Sequence, residues 1–327
     1  MAQVPRRTAN GLDAMAKYLV TGGAGFIGSN LVEELLRRGH EVRVLDDFST
    51  GQRENLTPFM SQIRLFELSV AEPRGLDEAF KGVDYVLHQA ALPSVPRSIE
   101  DPVGTFKINA EGTLNVLEAA RQAGVKKLVF ASSSSIYGSN PELPKRETMI
   151  PAPMSPYAAS KLAAETYCRV YARVYGLATT SLRYFNVFGP RQDPNSQYAA
   201  VIPKFIRAGL LAQEVTVFGD GEQSRDFTFI ANVVQANLLA AENSNGAGDV
   251  FNTACGDRIT LNEMLSQLEA LLGRKIARSY VAPRPGDVPH SQAQISKLQE
   301  TFNYRPNVSF AEGLRQTVGY FKGVFKA

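Results

Sequence analysis

From residue 17 onward the chain alternates short apolar runs with longer stretches of helical spacing. Residues 17–21 (KYLVT) form an apolar run that ends at a glycine cluster. Residues 26–38 follow, with Ile27, Leu31, Leu35 and Leu36 at helical intervals and Gly39 as a stop signal. Residues 41–45 (EVRVL) alternate as a strand does, and further β-like runs lie at 63–68, 85–88, 127–131 and 178–184. Helices are expected between them at 75–81, 102–124 and 156–176. Strands that alternate with helices imply parallel strands joined by right-handed crossovers, so the spacing predicts an α/β protein with a doubly wound parallel Rossmann sheet.

Beyond about residue 185 the pattern loosens. Prolines and glycines crowd 189–221, 246–257 and 283–289. A smaller mixed α/β lobe is expected there, covered by helices near 198–211, 260–272 and 309–325. The helix predicted at 229–242, and the strand before it, are assigned to the first lobe. The expected organisation is a loose N-terminal tail at 1–15 and a dinucleotide-binding domain at 16–185 plus about 227–250. The second lobe would comprise 186–226 and 251–327.

Composition narrows the class of protein. Of 327 residues, 44% are hydrophobic and 20% charged, which excludes a disordered chain. Thirty-five basic residues against 32 acidic ones are mixed along the sequence, so no nucleic-acid footprint emerges. No apolar run approaches the length of a membrane span. Two cysteines, Cys168 and Cys255, are too few for a disulfide framework and fit a reducing cytoplasm.

The glycine cluster is the first chemical signal. Gly22-Gly23-Ala24-Gly25-Phe26-Ile27-Gly28 follows a strand and opens a helix. Gly23, Gly25 and Gly28 match G-x-G-x-x-G, and Gly22, Gly25 and Gly28 match the G-x-x-G-x-x-G reading of the same loop. Such a loop lets backbone approach a pyrophosphate, which N–H groups at Phe26, Ile27 and Gly28 and the helix dipole then hold. Asp46 lies 18 residues past Gly28, at the end of the second strand. A carboxylate there bonds ribose hydroxyls and repels a 2′-phosphate, so NAD is favoured over NADP. A glycine-rich turn without a ligand is the bland alternative, and strand, helix and carboxylate together weigh against it.

The second signal is Tyr157-Ala-Ala-Ser-Lys161, which puts Tyr and Lys on one helix face. An ammonium beside a phenol, like a positive nicotinamide ring, lowers its pKa and lets the phenolate take a proton from a sugar hydroxyl. The third is the run Ser132–Ser135 before Ile136-Tyr137-Gly138, at the carboxyl end of an apolar strand. Ligands of doubly wound sheets bind at that edge. Plain turn chemistry is the alternative there, and a helix-surface pair is the alternative for Tyr157 and Lys161.

With these motifs in order, the chain resembles an extended short-chain dehydrogenase/reductase, specifically a nucleotide-sugar C4-epimerase of the UDP-glucose or UDP-N-acetylglucosamine 4-epimerase type. The likeness runs from about residue 17 to the C-terminus. It is carried by TGGAGFIG (21–28), HQAA (88–91), SSSSIYG (132–138), YAASK (157–161), RYFNVFGP (183–190), GDGEQSRDF (219–227) and RPGDV (284–288). The resemblance implies tightly bound NAD, regenerated in each cycle, and a UDP-sugar substrate. It makes Ser133, Tyr157 and Lys161 the catalytic set, with Ser134 and Ser135 as helpers. Ala90 and Ala91 would line the cofactor, with Asp46 and Asp47 at its adenosine ribose. Asn186, Arg225 and Arg284 would hold the diphosphate, Phe218 would face uracil and Asp287 would take the uridine ribose. It also implies a homodimer built through helices 102–124 and 156–175.

Two finer points follow from the resemblance. Related dehydratases and decarboxylases place a Glu two residues before the Tyr-Gly of the serine loop, where this chain has Ser135. Simple epimerisation is therefore implied. Glucose-restricted epimerases tend to carry a bulky Tyr where this chain has Ser291; a serine leaves room for an N-acetyl group. Ser94 could bond the acetamide, with Ala200 and Val201 shaping the pocket. Pro93 and Ser69 depart from the family pattern, where N-acetyl-type relatives tend to have Gly and many relatives an Asp near adenine. The implied reaction is UDP-N-acetylglucosamine to UDP-N-acetylgalactosamine. A UDP-glucose-restricted or UDP-hexuronate 4-epimerase, a net reductase and a non-catalytic NAD-binding scaffold are the alternatives.

Overall fold

The computed structural model describes residues 15–194, 200–283 and 288–325. Its frame is a seven-stranded sheet. Six strands come from residues 17–184: β1 (Lys17–Thr21), β2 (Glu41–Leu45), β3 (Ile63–Phe66), β4 (Tyr85–His88), β5 (Lys127–Ser133) and β6 (Thr179–Tyr184). The seventh, Asp249–Thr253, joins beside β6. Across the sheet the order is Asp249–Thr253, β6, β5, β4, β1, β2, β3, and every pairing is parallel. The order reverses at β1 and β4, so their carboxyl ends open a crevice there, the place where such sheets bind ligands.

Both faces of the sheet are covered, which is why its strands read as nearly continuous apolar runs. Alternate residues feed two cores. Leu19, Leu45, Val86, Leu128 and Phe130 pack with Leu117, Ala164 and Cys168 from helices Gly112–Gln122 and Pro156–Tyr175. Tyr18, Val20, Val44, Leu87 and Val129 pack with Leu31 and Leu35 of helix Phe26–Arg37 and with helix Ile230–Glu242. This second core continues without a break into the smaller lobe through Phe185, Phe188, Ile206 and Leu265. Helices Val201–Leu210, Leu261–Leu272 and Phe310–Phe325 build that lobe, with Val215–Phe218 pairing parallel to Arg278–Val281.

Local signals explain the helix that carries the Tyr–Lys pair. Ser155 caps its start by accepting the Ala158 N–H (3.2 Å), Pro156 opens it, and Gly176 ends it in the left-handed region.

Four elements differ from expectation. The helix expected at 102–124 is broken into Pro102–Phe106, a π turn at Lys107–Glu111 and Gly112–Gln122. Inside the wide turn the Asn109 side chain leaves the helix to bond Leu92 and Ser160. A helix at Val95–Glu100, capped by Ser94 and opened by Pro96, stands where no element was expected. β5 runs to Ser133, past the expected end at 131, because its last residues still pair with β6. Finally, it is the strand after helix Ile230–Glu242 that extends the sheet. The two residues before that helix, Thr228–Phe229, pair instead with Val187–Phe188.

Candidate active site

The glycine loop sits between the ends of β1, β2 and β4. Gly22 has φ +67°, and a Cβ there would lie 2.6 Å from the Ala90 nitrogen. At Gly28 a Cβ would lie 2.7 Å from Gly23 Cα and 2.8 Å from the Gly22 carbonyl carbon. These two glycines are therefore required by the protein's own packing. Gly25 is different. Its φ of −74° and ψ of 175° suit any residue, and the nearest atom to a Cβ is a loop carbonyl at 3.2 Å. Beyond that carbonyl the space beside Gly25 is open, a cradle that a Cβ would fill. The first bond of the following helix runs from the Ser29 N–H to the Gly25 carbonyl, which leaves the Phe26, Ile27 and Gly28 N–H groups pointing out of the helix end.

Asp46 is buried at the end of β2. Its carboxylate accepts the Ala24 N–H and the Phe48 N–H, both at 2.8 Å, so it braces the glycine loop as well as closing the strand. Burial raises its pKa, opposed by those two bonds. Asp47 accepts the Ser49 N–H (2.9 Å) and hydroxyl (2.5 Å) and is bonded by Ser69, which together hold its carboxyl below the usual range. Ala90 and Ala91 follow β4 against the glycine loop. The Ala90 N–H donates to the Thr21 hydroxyl at 3.3 Å.

On the other side of β4 lies the serine loop. The Ser133 hydroxyl lies near enough to the Tyr157 phenol to lower its pKa, and it is 2.9 Å from the Ser135 hydroxyl. Ser135, rather than Ser134, is thus the neighbour that Ser133 engages; Ser134 opens the short turn Ser134–Tyr137. Lys161 stands one turn from Tyr157, and its ammonium donates to the Ala131 carbonyl at 2.9 Å. Burial pushes the Tyr157 phenol up, and the Ser133 hydroxyl is what lowers it. Burial also brings Lys161 down to about 8, because a charge away from water is penalised on either residue.

Several of the substrate-side residues gather in a cleft of about 800 Å³ lined by the smaller lobe. Asn186, Ala200, Val201, Phe218 and Arg225 all line it. Asn186 is held at φ +34°, and its amide donates to the Ser291 hydroxyl at 3.1 Å and to the Asp226 carbonyl at 3.3 Å. Arg225 donates to the carbonyls of Ser224 and Pro289, each at 3.0 Å. Ser94 stands apart from this group. It caps helix Val95–Glu100 and is held at φ +101°, an unusual backbone for serine. Arg284 and Asp287 lie outside the described residues.

Several contributors were not foreseen. Lys204, Phe205 and Gln223 share the cleft, but in sequence they are ordinary helix and turn residues. Asn109 accepts the Leu92 N–H (2.8 Å) and donates to the Leu92 carbonyl (3.2 Å), pinning the strand-end loop that carries Ala90 and Ala91. An Asn inside a helical pattern was its one signal. Asp226 is fully buried and accepts N–H groups from Cys255, Gly256 and Ala293, which ties the Arg225 strand to the segment bearing Ser291.

A glycine cradle at a helix N-terminus, a Ser-Tyr-Lys set at the sheet edge and an adjoining nucleotide-sized cleft define a short-chain dehydrogenase-like enzyme. Residues 18–254 match the NAD dependent epimerase/dehydratase family, and the chain belongs to it. Three relatives set the context. The UDP-glucose 4-epimerase of Mycolicibacterium smegmatis is 38% identical over 311 residues, 94% of this chain and 98% of that protein. The solved UDP-N-acetylglucosamine 4-epimerase of Methanobrevibacter ruminantium, in complex with UDP-N-acetylmuramic acid, is 40% identical. Its TM-score is 0.91, over 95% of this chain and 99% of that one. The UDP-glucose 4-epimerase of Thermus thermophilus, solved with NAD, is 43% identical with a TM-score of 0.85, over 94% and 99% of the chains. Among the described residues, no helix is long and apolar enough to cross a membrane.

Proposed function

We propose that the protein interconverts the C4 epimers of a UDP-hexose, with UDP-N-acetylglucosamine and UDP-N-acetylgalactosamine as the preferred pair. The observation that carries the reading is the pairing of Ser133 with Tyr157 at the sheet edge, where Lys161 stands one turn along the same helix. The relatives support NAD-dependent 4-epimerisation of a UDP-sugar. The preference for an N-acetylated sugar rests on Ser291, whose small side chain accepts the amide of Asn186, a residue that lines the cleft.

The loop at Gly22, Gly25 and Gly28 would hold NAD, which when bound would supply a reversible hydride acceptor and a positive ring that favours the phenolate. Tyr157 takes the C4 hydroxyl proton, with Ser133 sharing the hydrogen bond to that oxygen. The 4-keto sugar then turns about its diphosphate linkage while the nucleotide stays fixed. Asn186 and Arg225 grip the diphosphate and Phe218 faces the base. Tyr157 then returns the proton to the C4 oxygen when the other face of the sugar is presented. Lys161, Asp46 and Asp47 hold the two riboses of the cofactor. Net redox change is zero, so a tight nucleotide grip and a loose sugar pocket are both needed.

The same reading includes a homodimer. Val103 is 77% exposed and Ile99 66%, and Val170 and Val174 project from helix Pro156–Tyr175. A four-helix interface through these two regions would bury them.

The test is incubation of the purified protein with UDP-N-acetylglucosamine, without added NAD, followed by proton NMR of the anomeric region. UDP-N-acetylgalactosamine accumulating to a fixed ratio is the expected result. Conversion of UDP-glucose or a UDP-hexuronate alone would transfer the assignment to that sugar. Inertness toward all three, with NAD supplied, would leave an NAD-binding scaffold.

A further inference from the structure

The serine loop is gripped at both ends by one buried ion pair. Arg183 on β6 is 3% exposed and Glu165 on helix Pro156–Tyr175 is 2% exposed. Two charges taken this far from water are a weak source of stability, since apolar residues in their place are often as good or better. The geometry around them is more telling. Arg183 Nε and Nη2 donate to the two Glu165 oxygens at 2.9 and 2.6 Å, a forked contact. Glu165 also accepts the Ser132 hydroxyl at 2.7 Å. Arg183 Nη1 donates to the Tyr137 phenol at 2.8 Å, and that phenol donates to Asn252 at 2.6 Å. The guanidinium thus reaches residue 132 through Glu165 and residue 137 directly. Ser133 and Ser135 lie between those two points.

The helix side completes the arrangement. Tyr157, Lys161 and Glu165 are spaced by four residues and share one helix face. They meet three consecutive strand residues: Lys161 the Ala131 carbonyl, Glu165 the Ser132 hydroxyl and Tyr157 the Ser133 hydroxyl. Of the three contacts, the Glu165 one alone is locked from behind, by an arginine that faces Ser132 in the β5–β6 register.

We propose that Glu165 and Arg183 are positioning residues for the epimerisation, which set the depth of the Tyr157 helix against the serine loop and so fix the approach of the Ser133 hydroxyl to the Tyr157 phenol. The proposal rests on the reading of Ser133 and Tyr157 as the proton-transfer pair.

Three variants test it. Arg183→Lys keeps the charge but loses the fork. Glu165→Gln keeps the shape and loses the charge. The double variant Glu165→Met/Arg183→Met removes the pair without leaving a charge behind. Arg183→Lys and Glu165→Gln should lose roughly 10- to 100-fold in kcat, the scale of a misplacement near 1 Å. KM, UDP affinity and bound NAD should stay within about twofold, the signature of an interaction made only in the transition state. The acid limb of the kcat profile should move to higher pH, since the Ser133 hydroxyl is what lowers the phenol. The double variant should melt near the wild type and keep the kcat defect. Wild-type kcat with an unmoved acid limb in Arg183→Lys would overturn the proposal. So would recovery of kcat in the double variant, which would make the pair merely structural. Tyr157→Phe, measured alongside, keeps the two readings apart: if it turns over normally, the proton-transfer pair itself is wrong and the positioning role goes with it.

Discussion

Two alanine substitutions in one loop should fail in opposite ways. At Gly28 a methyl group would sit 2.7 Å from Gly23 Cα and 2.8 Å from the Gly22 carbonyl carbon, against about 3.4 Å for ordinary contact. All these neighbours are backbone, so no side chain can swing aside. Overpacking of this kind costs about 1–3 kcal/mol, and without a route for relaxation the upper end applies. For a chain of this size that is a fall of roughly 4 °C in Tm. At Gly25 the nearest atom is 3.2 Å away and the backbone is ordinary extended chain. Gly25→Ala should therefore leave the cofactor-free fold within about 1 kcal/mol of wild type, with a slight gain from the stiffer unfolded chain. The methyl would instead occupy the cradle beside the Phe26 and Ile27 N–H groups. Loss of two charge-assisted hydrogen bonds, at about 1.5 kcal/mol or more each, weakens NAD by roughly 100-fold. Melting curves with and without NAD, together with the NAD content of the purified protein, separate the two effects. Wild-type NAD content in Gly25→Ala, or an unchanged melt in Gly28→Ala, would refute the division of roles among these glycines.

Other predictions follow from single groups. Tyr157→Phe should lower kcat by roughly 10²- to 10⁴-fold while UDP and NAD still bind, as isothermal titration would report. Ser291→Tyr should cut kcat/KM for UDP-N-acetylglucosamine by roughly tenfold or more and spare UDP-glucose; equal losses on both sugars would remove Ser291 from substrate selection. Burial pushes the Asp226 carboxyl up to about 6 from 3.8, and its three N–H donors only partly offset this. A raised acid stabilises the fold below its unfolded pKa and loses that contribution as pH rises through about 6, here about 3 kcal/mol. Denaturant melts between pH 4 and 7.5 should show that decline in the wild type and lack it in Asp226→Asn, and matching slopes would contradict the assignment.

The first half of the fold was legible because its signals are local. Strands buried on both faces read as apolar runs, and the caps at Ser155 and Gly176 bound the longest helix. The glycine loop and the Tyr157–Lys161 spacing were readable for the same reason. In the second half the four long helices were legible as well, but the strands were not, because their contacts are remote. Asp249–Thr253 lies in a glycine-rich stretch, and its strand character comes from pairing with β6 some 70 residues earlier in the chain. The π turn at Lys107–Glu111 has no periodic signature either, since it exists to let Asn109 reach Leu92 and Ser160. The electrostatics were equally hidden. A Tyr four residues before a Lys suggests a lowered phenol, yet the packed site penalises both charges.

The distribution of buried polar groups follows from the reaction. A sugar that must turn over between two hydride transfers cannot be held tightly at its reacting carbon, so fidelity has to come from the protein groups around it. Rigidity is therefore concentrated behind the site. Asp46 braces the glycine loop, Asn109 braces the strand-end loop after β4, and Glu165 with Arg183 braces the serine loop. Each is a buried side chain that spends its bonds on the backbone or hydroxyl of a neighbouring loop. Asp226 does the same on the substrate side, where it joins the strand bearing Arg225 to the segment bearing Ser291. The two halves of the cleft are thus stiffened separately, the cofactor side by contacts at the sheet edge and the nucleotide side by Asp226. Loosening one should alter kcat and loosening the other should alter KM, because hydride and proton positions are set on the first side and nucleotide position on the second.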